Sequence, residues 1–426
     1  MSSGPIVIFD KSLLEALSLD EAVWLGQFYR INMTPLFFVE TLADLEKAPR
    51  DDRTPEQVVE RLAEKTSAIS ADPNVHHSRL CAEDLVGNHF DMRRCVVMGG
   101  GRSVQRDGHE GIIFDEGPEA QALDRWRRGQ FREVERAHAK AWRAALANLD
   151  LEAIAEGFKP LVTREDRPKS LKDIRALVER VLTNPDISEG TLGAALKTLS
   201  VPYELWPRIY DRWQRAGKPV LPVFAPYAAH VMAVDMFFSI AVAGGHIAKE
   251  RASNKADIAY LYYLPFCMVF TSMDKLHART VPLFMNSNQR FVWGADMKAD
   301  LKRLDEHFSD YPNDVKIRGV MSFARCPPLE GDFMTTRLWD EFLSPIWRTP
   351  QDQRPDPNND PAERERVDAL LRELNARIKE SSPAGREVQI ESADFVVVQR
   401  SVPVQIGKWR LVSPEAEKAS REGKGL

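Results

Sequence analysis

The sequence is poor in cysteine and has no excess of positive charge. Four cysteines are spread over 426 residues, and no two of them share CxxC spacing. This usage favours a reducing compartment over a secreted disulfide scaffold, so we expect the protein in the cytoplasm. The formal net charge is −5 at pH 7. Any basic surface for nucleic acid must therefore be local rather than a property of the whole chain.

Long hydrophobic runs are also scarce. The first apolar run covers only residues 5–9 and stops at Asp10, which is too short for the apolar core of a signal peptide. The most apolar later stretch, residues 227–250, contains His230 and Asp235. A membrane-spanning helix needs about 20 apolar residues with few or no charges. We therefore predict a buried helix of a soluble domain there, and no contact with a membrane.

Short apolar runs predict an α/β fold. Residues 5–9 are rich in β-branched side chains, which is typical of a strand buried on both faces of a parallel sheet. The other strands are predicted at 33–39, 267–274 and 291–294, and helices at 20–30, 40–47 and 296–308. Such alternation of strands and helices indicates a small parallel sheet flanked by helices.

The composition divides the chain into four parts. Residues 1–48 and 223–310 carry the strand–helix pattern, and we predict that they form one domain in two pieces. Between them, residues 49–222 are predicted to be a mostly helical insertion, with one long charged helix over 119–147. Residues 311–426 are a C-terminal extension with a linker rich in Pro, Asn and Asp, a helix near 361–380 and a late β segment.

Acidic residues stand at the ends of the predicted strands. Asp10 ends the first strand and Asp274 ends the strand at 267–274, while Asp257 lies in the first turn of a helix. Glu40 ends the second predicted strand, and Asp44 follows it by one helical turn. Sites in open α/β sheets form beyond the carboxyl ends of the strands. Carboxylates that converge there are tolerated when a hard cation lies among them, although any one of these acids could equally be a helix cap.

The opening VIFDKSLLEAL resembles the start of PIN-domain nucleases, in which a strand ends in an Asp and a small hydroxyl residue follows two positions later. Here these residues are Asp10 and Ser12. FFVETLADLEK is similar to the second acidic motif of that family. The acid at the matching position is Asp44, which is shorter than the usual Glu, and Glu40 lies one turn earlier, so either residue could be the ligand.

A later segment, NKADIAYLYYLPFCMVFTSMDKLH, resembles the third and fourth motifs of PIN domains. In the family an Asp opens a helix, a strand follows, and a Thr/Ser-x-Asp element ends it. The matching residues are Asp257, Ser272 and Asp274. His277 follows the last motif by three residues and could contact substrate or cap a helix. The resemblance covers the first 48 residues and about 225–310.

This resemblance implies a PIN-like fold and hydrolysis of phosphodiester bonds with Mg²⁺ or Mn²⁺, most often in RNA. The implied ligands are Asp10, Asp257, Asp274 and either Glu40 or Asp44. Ser12 and Ser272 would orient the ligands, and a metal-bound water would attack. We expect an endoribonuclease, with RNA favoured over DNA as partner. Two alternatives stay open, a nuclease that acts on DNA and a PIN-like binding or scaffold protein without catalysis.

The insertion contributes a run of basic and aromatic residues. We predict that Arg125, Arg128 and Arg132 contact nucleic acid, with a plain amphipathic helix as the alternative. The acids allow a further expectation about stability. Because clustered carboxylates repel one another without metal, we expect Asp10→Asn to be at least as stable as the wild type under those conditions.

Overall fold

A computed structural model of the chain describes residues 4–49, 53–66, 71–93, 96–99, 101–106, 109–114, 117–163, 167–349, 388–389, 395–398 and 402–421. Twelve strands lie in these ranges. They are β1 Ile6–Phe9, β2 Arg30–Met33, β3 Ala71–Pro73, β4 Val97–Met98, β5 Arg102–Arg106, β6 His109–Phe114, β7 Val269–Ser272, β8 Arg290–Trp293, β9 Val388–Gln389, β10 Phe395–Val398, β11 Gln405–Ile406 and β12 Trp409–Arg410.

Helices make up most of the remaining described chain. The α-helices are α1 Lys11–Ala16, α2 Leu19–Phe28, α3 Pro35–Leu42, α4 Pro55–Lys65, α5 His77–Val86, α6 Pro118–Trp126, α7 Glu133–Ala147, α8 Leu151–Glu156, α9 Lys159–Val162, α10 Leu171–Leu182, α11 Ser188–Thr198, α12 Trp206–Arg215, α13 Leu221–Phe224, α14 Pro226–Ala243, α15 Ser253–Ala259, α16 Lys275–Thr280, α17 Gly294–Ser309, α18 Asn313–Lys316, α19 Val320–Phe323, α20 Met334–Phe342 and α21 Pro414–Arg421. The 3₁₀ turns are Ala43–Glu46, Pro185–Ile187, Tyr203–Leu205, Tyr260–Phe266, Val281–Leu283 and Pro345–Arg348.

A five-stranded parallel sheet forms the centre of the fold. Its strand order is β3-β2-β1-β7-β8, and every neighbouring pair is parallel. The chain order therefore reverses between β1 and β7, which are hydrogen-bonded neighbours although the whole insertion separates them along the chain. This confirms the predicted α/β class with a parallel sheet flanked by helices.

Side chains of β1 alternate between two hydrophobic cores. Ile6 and Ile8 belong to the core that contains α14, whereas Val7 and Phe9 belong to the core that contains α2 and α17. All four are almost fully buried. A continuous apolar strand is what a sheet covered on both faces requires, because neither set of side chains can face water.

Among the described residues, one helix is long and apolar enough to cross a membrane by length and composition alone. This helix is α14, and 78% of its most apolar window is buried inside the protein. It packs against α5, α8 and α10. Asp84 of α5 accepts hydrogen bonds from the backbone N–H groups of Tyr227 and Ala228 in its first turn, at 2.8 and 3.0 Å. The apolar run at 227–250 is therefore mainly a core helix, as its internal polar residues predicted.

The second strand differs from the prediction. Residues 33–39 were expected to be a strand, but β2 ends at Met33 and α3 begins at Pro35. The side chain of Thr34 accepts a hydrogen bond from Phe37 N and caps the helix, and Pro35 occupies its first position. Thr followed by Pro is a strong helix start, and here it outweighs the apolar run.

The insertion is less separate than predicted. β3, at residues 71–73, joins the central sheet beside β2, so the sheet includes part of the expected insertion 49–222. The expected helix over 119–147 is two helices, α6 and α7, and between them Gly129 has a φ of 65°. β10 of the C-terminal extension pairs in parallel with β6 of the insertion. The helix expected near 361–380 lies outside the described residues.

Candidate functional site

The predicted acids of the first and fourth motifs meet where the strand order reverses. Asp10 directly follows β1, and its backbone N–H donates to the carbonyl of Thr271 on β7 at 3.4 Å. Asp274 lies two residues beyond the end of β7 and caps α16 by accepting a hydrogen bond from Leu276 N. In open parallel sheets, such a reversal leaves a crevice at the carboxyl ends of the strands, where ligands bind.

Asp10 is held from several directions. It caps α1 by accepting a hydrogen bond from Leu13 N at 3.3 Å, and the hydroxyl of Ser12 lies 2.7 Å from each carboxylate oxygen. The same hydroxyl oxygen accepts a hydrogen bond from Met273 N at 3.1 Å. Ser12 thus ties the end of β1 to the end of β7. The sequence predicted this orienting role for Ser12 only through the family resemblance.

His277 connects three elements of the site. Its Nδ1 lies 2.8 Å from Ser272 Oγ and 3.5 Å from an oxygen of Asp10, and its Nε2 lies 2.7 Å from the carbonyl oxygen of Asp257. The ring is fully buried. Burial lowers the pKa of His277, but the hydrogen bond and charge of Asp10 outweigh burial and raise the pKa to about 9. The imidazole is therefore a cation at neutral pH and donates from both nitrogens.

The contact between His277 and Asp10 also determines the charge of Asp10. Burial alone would raise the pKa of Asp10, but the hydrogen bond and charge of His277 outweigh it, helped by the hydroxyls of Ser12 and Ser272, so that the pKa is lowered. Ser272 also accepts a hydrogen bond from Asp274 N at 2.9 Å. Asp10 is an ionised carboxylate whose charge is balanced inside the protein.

Glu40 lies on α3, the helix that follows β2. Its carboxylate accepts a hydrogen bond from the hydroxyl of Tyr260 at 2.6 Å. Burial raises the pKa of Glu40, against the opposing effects of Tyr260 and Lys11, and the charge of Asp10 raises it further. No motif of the sequence predicts a role for Tyr260, although its position three residues after Asp257 puts it one helical turn away.

Asp257 is the acid without a partner. Its carboxylate makes no hydrogen bond or ion pair with the described part of the chain, and only its backbone carbonyl is engaged, by His277. Burial raises the pKa of Asp257 to about 7, and the charges of Glu40, Asp274 and Asp10 add to this rise while His277 opposes it. The charges of the three other acids therefore act on Asp257, and His277 links the backbone of Asp257 to the carboxylate of Asp10.

Asp44 has a different environment. Its buried carboxylate forms ion pairs with Lys11 at 2.8 Å and Lys47 at 2.6 Å. The sequence left Glu40 and Asp44 as alternative ligands. The two lysines already neutralise Asp44, whereas Glu40 lies among the other acids. These ion pairs favour Glu40 for the site and give Asp44 a structural role, and the main partner, Lys11, lies 33 positions away in the sequence.

The donors fit a hard divalent cation in their chemistry. Carboxylate oxygens are the ligands that Mg²⁺ and Mn²⁺ prefer, and the unpartnered Asp257 has an uncompensated charge when ionised. In their present arrangement, however, no three His, Cys, Asp or Glu side chains within the described ranges lie close enough together to hold a metal ion. A bound cation would have to draw the carboxylates closer together.

The predicted arginine surface is largely occupied by internal contacts. Arg125 of α6 forms an ion pair with Glu135, and Arg128 forms one with Asp124. Arg125 is also mostly buried, with 19% of its side chain exposed. Of the three predicted residues, only Arg132 is exposed with a guanidinium that forms no ion pair in the described part of the chain, although its backbone N–H donates to Glu135 at 2.8 Å.

No protein-family model, no curated protein and no solved structure matches this chain. The resemblance to PIN-domain nucleases therefore stays a prediction that rests on the motifs of the sequence. An α/β fold with a parallel sheet supports many unrelated activities, so function has to follow from the chemistry of the four carboxylates and their neighbours.

Two substitutions at the site are expected to change metal-free stability in opposite directions. The folded pKa of Asp257, about 7, lies above its usual value of 3.8, so ionisation costs stability. That cost is absent below pH 3.8 and complete above pH 7. At pH 8, the free energy of unfolding of Asp257→Asn should therefore exceed that of the wild type by a few kcal/mol, at about 1.36 kcal/mol per pKa unit. The variant should unfold at a higher denaturant concentration and lose this advantage towards pH 4.

Asp10→Asn should behave in the reverse way, contrary to the expectation from the sequence. The lowered pKa of Asp10 means that its charge contributes stability above pH 3.8, and this contribution is lost as pH falls through the folded pKa. Removing the charge leaves buried His277 without its counterion. Both predictions are measured by urea unfolding of the two variants and the wild type in EDTA, at pH 8 and at pH 4. Equal effects of the two substitutions at pH 8 would contradict these assignments.

Proposed function

We propose that the protein is a metal-dependent nuclease with a PIN-like fold, and that it cleaves RNA internally. The observation that carries this proposal is the position of Asp10 and Asp274 just beyond the two strands between which the order reverses. His277 links Asp10 to Asp257, whose carboxylate has no hydrogen-bond or ion-pair partner among the described residues. A site of this charge attracts a divalent cation, and a cation in turn allows a phosphodiester to approach. The order of the acidic motifs along the sheet supports the PIN-like assignment.

The ligands of this proposal are Asp10, Glu40, Asp257 and Asp274. When bound, Mg²⁺ or Mn²⁺ supplies two things, a water of lowered pKa and positive charge beside the phosphoryl oxygens. Asp44 is left out of the set because Lys11 and Lys47 neutralise it.

The chain's own residues hold this set in position. His277 donates to the carbonyl of Asp257 and faces the carboxylate of Asp10, so it fixes α15 against the end of β1. Ser12 bridges Asp10 and Met273 N across the two strands. Tyr260 directs one oxygen of Glu40 and leaves the other oxygen without a hydrogen bond from the described residues. Each of these contacts reduces the freedom of a ligand before substrate binds.

Metal binding provides the first test. Mn²⁺ at a hundredfold excess over its Kd should stabilise the wild type by about 2.7 kcal/mol through mass action. Asp257→Asn should gain much less, because the unpartnered ligand charge is gone. Asp310→Asn, which removes the same charge from the exposed C-terminal end of α17, should gain as much as the wild type. Melting curves with EDTA and with Mn²⁺, read on the transition that responds to metal, measure this. An equal shift for all three proteins would remove Asp257 from the ligand set.

The substrate is tested by cleavage assays with Mn²⁺ on single-stranded RNA, single-stranded DNA and duplexes. We expect internal cuts in single-stranded RNA that EDTA abolishes. Cleavage of DNA alone would support the alternative of a DNA-directed nuclease.

One observation favours a second candidate, a PIN-like binding or scaffold protein without catalysis. No three metal-binding side chains within the described ranges lie together closely enough to hold an ion. His277 could then serve as the permanent counterion of the acidic region, in place of a metal. Binding of RNA without cleavage under any divalent ion, together with no Mn²⁺-dependent stabilisation, would favour this candidate over the nuclease.

A further inference from the structure

We propose that one flank of α7 binds the phosphate backbone of single-stranded RNA beside the acidic site. This inference rests on the proposed function, because it names the surface that delivers the substrate. The flank, called the α7 ridge below, consists of Arg132, Arg136, Lys140 and Arg143.

The α7 ridge follows from helical spacing. Arg132 immediately precedes α7, and the other three cations follow at intervals of four, four and three residues, which brings them to one side of the helix. At a rise of about 1.5 Å per residue, the ridge extends over roughly 16 Å. All four side chains are exposed.

Most of the cations on the ridge are free to bind an anion. Arg132, Lys140 and Arg143 form no ion pair with any carboxylate in the described part of the chain. Arg136 forms a solvent-exposed pair with Glu56 at 2.8 Å, and its guanidinium lies 5.6 Å from the centre of the Phe131 ring. Exposed ion pairs of this kind are weak, so a phosphate can displace Glu56.

α7 is unusually exposed for a helix of 15 residues. Only Ala139 is fully buried, and the side chain of Val134 is 68% exposed. A helix in a globular protein normally buries a wide apolar stripe, and α7 lacks one. Half-buried Phe131 and Trp142 alternate with its cations along the sequence, and the Phe131 ring lies under the guanidinium of Arg136 while packing against the core. Basic side chains interleaved with aromatic rings are typical of surfaces that bind single-stranded nucleic acid.

The position of α7 relates the ridge to the acids. α7 packs against α3 and the 3₁₀ turn Ala43–Glu46. These elements carry Glu40 and Asp44, and Glu40 belongs to the proposed ligand set. An RNA strand along α7 therefore lies beside the element that delivers Glu40. Two acids in the first turn of α7 oppose the ridge, Glu133 and Glu135, and Glu135 is already paired with Arg125 and accepts a hydrogen bond from Arg132 N at 2.8 Å.

The experiment measures RNA binding separately from cleavage. Fluorescein-labelled oligouridine is titrated with the full chain in EDTA at several salt concentrations, and binding is followed by fluorescence anisotropy. The ridge variant carries Arg132→Gln, Lys140→Gln and Arg143→Gln. The control variant carries Arg337→Gln, Arg215→Gln and Lys302→Gln, which removes three exposed cations that are paired with acids elsewhere. Both variants therefore have the same net charge.

The ridge variant should bind oligouridine at least about tenfold more weakly at low salt. Its slope of log K against log salt should become less negative by about 2, since each lost phosphate contact removes about 0.7 from the slope for single strands. The control variant should keep the wild-type affinity and slope. Equal slopes for the two variants, or no binding by the wild type, would overturn the proposal.

Turnover distinguishes this inference from the nuclease proposal. With Mn²⁺, the ridge variant should need more RNA to reach half-maximal cleavage but keep its maximal rate. If the wild type binds RNA with the expected ridge dependence and never cleaves it, the nuclease proposal fails and the α7 ridge stands. If the wild type cleaves RNA and the ridge variant binds and cleaves like the control, the ridge proposal alone fails.

Discussion

Replacing Asp257 with Asn is expected to lower the rate of RNA cleavage by about a hundredfold or more, because substitutions around metal ligands commonly cost 10- to 100-fold and this one removes a proposed ligand charge. The loss should appear in the maximal rate at saturating RNA rather than in RNA binding. Glu40→Gln should have the same effect, since Glu40 is also a proposed ligand. Both rates are measured with Mn²⁺ on single-stranded RNA.

Asp310→Asn is the matched control for this experiment. It makes the same chemical change at the exposed end of α17 and should cleave RNA at the wild-type rate. The folded state of Asp257→Asn is not at risk, since removal of this charge is expected to raise metal-free stability at pH 8. A fully active Asp257→Asn variant would therefore speak directly against the proposed site, because loss of folding could not explain the result.

Asp44→Ala should destabilise the protein by about 3 kcal/mol, because truncating one partner of a buried ion pair leaves the other charge uncompensated. Here the remaining charge is that of Lys11, whose side chain is only 14% exposed and which keeps only a longer ion pair, at 3.5 Å, with exposed Glu15. The pKa of Lys11 agrees with this role, because burial lowers it but the charge and hydrogen bonds of Asp44, together with the charges of Glu15 and Glu40, outweigh burial and raise it. Urea unfolding in EDTA measures the loss.

A double variant distinguishes the stabilising effect of the Lys11–Asp44 ion pair from a role of Asp44 in metal binding. Lys11→Met combined with Asp44→Leu replaces both charges with apolar groups, and it should recover much of the stability lost in Asp44→Ala. Asp44→Ala should also keep its stabilisation by Mn²⁺, since Asp44 is not a proposed ligand. If metal no longer stabilises Asp44→Ala, while Glu40→Gln keeps the full effect, Asp44 is the ligand and the assignment of Glu40 is reversed.

Local sequence predicted the parts of the fold that depend on local patterns. The apolar run of β1 and the acid after it were recognisable because a buried strand and its end leave a continuous signal. β3 was missed because a strand of three residues ending in Asp-Pro has no periodicity. The apolar content of residues 33–39 predicts a strand, but the Thr34–Pro35 helix start is the stronger local signal.

The choice between Glu40 and Asp44 could not be made from the sequence. Both residues stand one turn apart on neighbouring elements, and only tertiary contacts distinguish them. Lys11 and Lys47 form ion pairs with Asp44, and Tyr260 donates a hydrogen bond to Glu40. The role of His277 likewise depends on partners that lie 5 and 20 residues away in sequence, and on Asp10 at the other end of the domain.

The separation of β1 from β7 has a consequence for synthesis on the ribosome. Ile6 of β1 and Met268, next to β7, are in contact although they are 262 positions apart in the sequence. At about 5–20 residues per second, β1 waits roughly 13–50 s after its own synthesis before β7 exists. During this time one edge of β1 has no strand to pair with, and such an edge can pair with other chains. Asp10 also waits for His277, so the acidic region acquires its internal counterion only after most of the chain has been made.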